Sequence, residues 1–133
     1  MSEVIEAIAW ICLQNRQVLC TRTRGKDVFY MPGGKLEPGE SAWQALRREI
    51  REELSVDLVA DTLTESIVVE AWAHGYSKQT RVRMKCFQAD YRGEITPNSE
   101  IEEIAWFSLQ DRKQCAPAAQ KVLEYLNKHQ LIN

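Results

Sequence analysis

Two proline–glycine clusters, Pro32-Gly33-Gly34 and Pro38-Gly39, stand directly ahead of a helical stretch and divide the first half of the chain. Neither cluster continues a regular element easily, because proline lacks an amide donor and glycine favours turns. Ser41 then offers an N-cap, and the spacing predicts a helix from about Ala42 to Leu54. The flanks are β-rich. Residues 4–13 and 17–22 read as a hairpin about the polar turn Gln14-Asn15-Arg16, and Val28 to Met31 as a short strand. Further strands are expected at 56–59, at 64–73 and 80–91 (joined through His74-Gly75-Tyr76-Ser77), and at 104–107. A second helix is expected over about 116–128. Strands and two helices without regular βαβ alternation point to an α+β domain with a mixed sheet.

At 133 residues the chain has the size of one domain, 1–133, with its own core. Its 17 Lys and Arg against 19 Asp and Glu leave a net charge of −2. That balance excludes the basic footprint of a duplex nucleic-acid binder. The longest apolar run, Ala7 to Leu13, falls far short of the roughly 20 residues of a spanning helix, so no membrane partner is expected. Glu3 and Glu6 break the basic start of a secretory signal. Cys12, Cys20, Cys86 and Cys115 form no CxxC pair and read as reduced structural thiols of a cytoplasmic protein. With two histidines, His74 and His129, a His/Cys zinc site is not expected.

The chemistry is concentrated between Gly34 and Val56, which hold the five carboxylates Glu37, Glu40, Glu49, Glu52 and Glu53. At about 100° per residue, Glu52 lies near −60° and Glu53 near +40° of Glu49. The three share one arc, which overlaps the edge of the apolar face made by Ala42, Trp43, Leu46, Ile50 and Leu54. Like charges so placed destabilise a helix unless something offsets them. Two readings are open: a solvated face neutralised by Arg47, Arg48 and Arg51, or a site for a hard divalent cation. The glycines ahead of the helix favour the cation, since they let backbone approach a ligand closely, with the Gly33 carbonyl as a further oxygen donor.

The spacing Gly34, five residues, Glu40, seven residues, Arg48-Glu49-Ile50-x-Glu52-Glu53-x-Ser55-Val56 resembles the Nudix box. Eight of its nine fixed positions are met within 23 residues. Ser55 stands where the family usually has glycine, at the turn leaving the helix, and must take a left-handed backbone there. The order of the other elements agrees along the whole chain. The resemblance implies an α/β/α sandwich with a mixed sheet between helices. It also implies a hydrolase that cuts a phosphoanhydride in a nucleoside diphosphate-linked substrate, a (d)NTP or related nucleotide. The alternative is a Nudix-fold module that binds or senses a nucleotide without cleaving it.

Carried onto this sequence, the metal ligands would be Glu49, Glu52, Glu53 and the Gly33 carbonyl, holding Mg²⁺, with Mn²⁺ as the other ion. Arg48 would orient the carboxylates, and Glu40 would brace loop and helix. The general base would be a box glutamate or Glu100. Substrate phosphates would meet Arg22, Arg24 and Arg81, the last in an alternating row with Arg83 and Lys85. Phe29, Tyr30, Trp72 and Tyr76 are the candidates for a wall against the base, while Trp10 and Trp106 belong to the core. The segment Ala116 to Gln120 offers alanine where the oxidised-guanine branch of the family carries a purine-reading asparagine. A homodimer through a strand edge or the N-terminal hairpin stays open.

Overall fold

A computed structural model describes residues 3–75 and 79–133. Its central sheet runs β4 (Gly33–Lys35), β1 (Glu3–Trp10), β7 (Thr80–Gln88), β6 (Thr64–Trp72). β1 is parallel to β7 and antiparallel to β4, so the sheet is mixed. A second sheet joins β2 (Leu13–Gln14), β3 (Gln17–Thr23) and β9 (Ile101–Phe107), and a small third one pairs β5 (Asp57–Leu58) with β8 (Tyr91–Arg92). Two helices, α1 (Ala42–Leu54) and α2 (Pro117–Lys128), close two separate apolar cores.

β1 explains the layering. Ala9 and Ile11 enter the core beneath α2, whereas Ile8 and Trp10 enter the one beneath α1. The strand is thus covered on both faces, which is why the sequence there is continuously apolar and not alternating. The expected α/β/α sandwich with a mixed sheet is the architecture observed. Among the described residues no helix is long and apolar enough to cross a membrane.

The expected hairpin of residues 4–13 with 17–22 is formed only at its tip: β1 pairs with β4 and β7, while Leu13–Gln14 folds back on Gln17–Val18 and Leu19 N donates to the Cys12 carbonyl. The turn is two residues, Asn15 and Arg16, with φ of 52° and 60°, the geometry that matches strand twist in a tight hairpin. The strand expected at 28–31 is reduced to two isolated bridges, Thr21 to Tyr30 and Phe29 to Cys115. Conversely, Gly33 and Gly34, expected in an irregular loop, form β4 against the middle of β1. Tyr76 and Ser77 lie outside the described residues.

α1 begins where expected. Gln44 N donates to the Ser41 hydroxyl (3.1 Å), and Ser41 N donates to the Gln44 side chain (2.9 Å), a reciprocal cap. It ends at Ser55, with φ 63° and ψ 26°, the left-handed conformation that glycine adopts without a Cβ penalty. Ser55→Gly should therefore stabilise the fold by about 0.5–1 kcal/mol. Urea unfolding checks this; a variant no more stable than the parent would show that the serine carries no strain.

Candidate functional site

α1 lies over β4, and this places its acidic arc against the glycine pair. Glu53, at 6% exposure, is the most buried carboxylate of the three. Its Oε1 accepts a hydrogen bond from Gly33 N at 3.2 Å. Burial, then the charge and hydrogen bond of neighbouring Glu49, push the Glu53 carboxyl up to about 9, so near neutrality it keeps its proton. Glu100 adds to the same upward push from β9's approach to the cleft. Glu52, more than half exposed, turns instead towards Arg48. The helical arc was right in azimuth, but the three carboxylates differ in depth.

Arg48 is the hub of the cluster. Its Nε and Nη2 grip the two Glu40 oxygens at 2.7 and 3.0 Å, and its Nη1 donates to Glu49 at 2.7 Å. Glu37 and Glu52 lie farther off, each at 3.8 Å. Glu40 also accepts from Glu37 N at 3.0 Å, so the pair ties the loop ahead of α1 to the helix. These bonds hold the Arg48 guanidinium firmly charged and the Glu40 carboxyl below its ordinary range. Arg48→Lys keeps the charge but loses the two-pronged grip. We expect a roughly 10–100-fold drop in activity, the usual cost of losing a group that orients ligands. Steady-state kinetics check it; unchanged kcat/KM would show the fork to be dispensable.

Among the described residues no three His, Cys, Asp or Glu side chains are gathered closely enough to hold an ion as they stand. The donor set nevertheless fits a hard divalent cation. Buried Glu53 keeps a proton beside half-buried Glu49, and a cation would replace that proton. The space is kept by glycine: a Cβ on Gly34 would lie 2.6 Å from Glu49 Oε2. Rotation of Glu52 off Arg48 would complete an all-oxygen set.

Glu49 and Glu53 line a cleft of about 600 Å³. Thr21, Thr23, Lys26 and Glu100 also line it. Beside it lies a smaller cavity, about 170 Å³, lined mostly by apolar side chains such as Ile5, Ala7, Val82, Met84 and Ala119. Tyr30, Met31, Gly33, Gly34, Lys35 and His74 border both. A charged chamber thus opens onto an apolar one, which suits a ligand with a phosphate portion and a flat organic portion.

The arginines expected at the phosphates are elsewhere. Arg22 donates to Glu103 (2.8 Å) and to the Lys26 carbonyl (3.2 Å), with Glu102 3.5 Å away, while its neighbours Thr21 and Thr23 line the cleft. Arg24 is exposed and lines neither chamber. Arg81 lies over the Trp72 ring at 5.0 Å, beside Glu70. Its row continues as cross-strand ion pairs, Arg83 with Glu6 (2.8 Å) and Lys85 with Glu65 (3.5 Å). That row shares a face as expected, but the face is not one that lines the cleft. Besides Arg48, the cations that do line it, Lys26 and Lys35, were missed. Leu19 packs beneath α1, and its parity along β3 with Thr21 and Thr23 was the available signal. Tyr30 borders the site as expected, whereas Phe29 is buried edge-on against Phe107. All four cysteines are free and buried.

Comparison with known proteins agrees with this geometry. The NUDIX domain family model matches residues 4–126. The NAD-capped RNA hydrolase NudC of Stutzerimonas stutzeri is 37% identical over 101 residues, 74% of this chain but only 33% of that protein's length. The nucleoside triphosphatase NudI of Escherichia fergusonii is 33% identical over 107 residues, covering 73% of this chain and 76% of that protein. Among solved structures, the E. coli ORF135 protein superposes with a TM-score of 0.73 at 25% identity, covering 95% of this chain and 92% of that one. The MutT NUDIX hydrolase from Burkholderia pseudomallei, at 20% identity, shares the fold with a TM-score of 0.71 over 92% and 96% of the two chains. A box of carboxylates folded against a glycine pair, in a chain matched almost throughout, has one reading: the protein belongs to the Nudix family and is one of its pyrophosphohydrolases.

Proposed function

We propose that the protein hydrolyses a phosphoanhydride bond in a nucleoside triphosphate or closely related nucleotide, with Mg²⁺ as its ion and Mn²⁺ as a substitute. The carrying observation is half-buried Glu49 beside buried Glu53, which accepts from the Gly33 amide, at the junction of a charged cleft and an apolar cavity. A triphosphate is favoured by the NudI relative, whose length this chain largely spans.

Glu49, Glu52 and Glu53 would hold the ion, which supplies charge neutralisation at phosphate and a more acidic water. The chain's own groups do the rest. Arg48 fixes Glu49 through one 2.7 Å bond and fixes the loop through another to Glu40. The apolar cavity takes the organic group and leaves the phosphates in the cleft. Glu100, which lines the same cleft and whose charge adds to the raised proton affinity of Glu53, would accept the proton of an attacking water.

A panel of nucleoside triphosphates, diphosphates and sugar-linked diphosphates, assayed with Mg²⁺, with Mn²⁺ and with chelator, tests the reading. Cleavage in ¹⁸O water locates the phosphorus attacked. Metal-dependent release of pyrophosphate or phosphate from triphosphates is expected. Tight nucleotide binding without turnover would instead identify a sensing module. Turnover that survives Glu52→Gln and Glu53→Gln together would overturn the ligand assignment.

A further inference from the structure

Lys26 lines the same cleft as Glu49 and Glu53, in the loop that follows β3. Its backbone is held at both ends of the peptide unit: Lys26 N donates to the Thr23 carbonyl at 3.0 Å, and its carbonyl accepts from Arg22 Nη1 at 3.2 Å. The next residue, Asp27, accepts a hydrogen bond from His74 Nε2 at 2.9 Å, across to the turn after β6. His74 holds the Asp27 carboxyl below its ordinary range, so Asp27 is ionised and is the acceptor. A short loop is therefore pinned from two sides.

The lysine side chain is treated differently from its backbone. Among the described residues its ammonium has no recorded hydrogen bond or salt bridge, and its longer-range pull on Asp27 is secondary to the His74 bond. Arg48, the arginine of the same cleft, is engaged by carboxylates on every side. Lys26 borders the charged cleft and not the apolar cavity. A lysine whose backbone is fixed, whose side chain lines an acidic cleft and whose ammonium has no hydrogen bond or salt bridge among the described residues keeps its charge available for an anion.

We propose that Lys26 binds the outer phosphates of the substrate, those beyond the phosphate nearest the organic group, and that Arg22 and the Asp27–His74 pair position it for this. The inference rests on the nucleotide reading above and adds to it the group that selects for phosphate-chain length. Arg22 thereby acts on the substrate through Lys26, not by direct contact.

The test compares binding of a methylene-bridged, uncleavable nucleoside triphosphate with binding of the corresponding monophosphate, both with Mg²⁺. Lys26 is exposed, so Lys26→Met should fold as the parent does. The triphosphate analogue should bind Lys26→Met at least about tenfold more weakly, as expected for losing a charge-assisted contact. The monophosphate should change less than about threefold, and Lys26→Arg should restore most of the triphosphate affinity. In turnover, KM for the triphosphate should rise with little change in kcat. Unchanged affinity for the analogue, or an equal loss for both ligands, overturns the inference. A parent protein that binds neither nucleotide overturns the nucleotide reading itself, and this inference with it.

Discussion

Glu53→Gln should lower turnover by about 10²–10⁴-fold while leaving the fold intact. Glutamine is nearly isosteric, keeps an oxygen to accept from Gly33 N, and brings an amide that can donate to Glu49 in place of the Glu53 proton. What it cannot do is become an anion for a cation to bind. Divalent ions should accordingly lose their effect on thermal stability. A ligand present at about 100 times its Kd stabilises the parent by about 2.7 kcal/mol, and most of that increment should vanish in the variant.

Metal-free stability supplies an independent sign. The folded-state affinity of Glu53 for its proton is raised, to about 9 from an ordinary 4.5, so the folded form binds the proton when the unfolded chain has released it. The contribution is full below the unfolded value and is lost as pH rises towards 9. Glutamine does not titrate. The variant should match the parent near pH 4.5 and exceed it increasingly towards pH 9 in chelator. Denaturant melts across that range check the slope. A parent whose stability does not fall relative to the variant would remove the description of Glu53 as a buried, protonated carboxyl.

The parts of this molecule that were legible in sequence are those fixed by neighbours a few residues away. Ser41 and Gln44 cap each other, and the left-handed Ser55 ends the helix that the box spacing announced. The carboxylate arc follows from helical pitch alone. The hairpin stops at its tip because the partners of β1 are β4 and β7, the latter more than seventy residues distant, and pairing over such distances leaves no local mark. The continuous apolar run was the clue that β1 is covered on both sides. For the arginines, alternation could not say which core the Arg22 face adjoins, and β3 ends at Thr23, before Arg24. Depth was equally hidden: Glu52 and Glu53 are adjacent in sequence, yet one reaches solvent and the other is buried. Lys26 sits in an irregular loop, where no periodicity points to a direction.

The glycine pair gives the second large effect, and the two glycines should fail in different ways. Gly33 has φ of 144°, and a Cβ there would stand 2.1 Å from the Ile8 carbonyl oxygen and 2.9 Å from Ala9 Cα. Those atoms are backbone of a strand covered on both faces, so they cannot yield without opening the sheet. Strain and overpacking together should cost Gly33→Ala about 4 kcal/mol, a large share of a typical domain's stability, and little folded protein should accumulate. Gly34 carries no such backbone constraint, and its added Cβ would meet the end of the Glu49 side chain, at 2.6 Å from Oε2. A side chain can swing aside. Gly34→Ala should remain folded, within about 1 kcal/mol of the parent, yet lose roughly 10–100-fold in activity as Glu49 leaves its place beside Glu53. Urea unfolding and kinetics on the two variants separate the outcomes. A stable Gly33→Ala would show that β4 is not held against β1 as described, and a fully active Gly34→Ala would show that Glu49 need not occupy the position in which it faces Glu53.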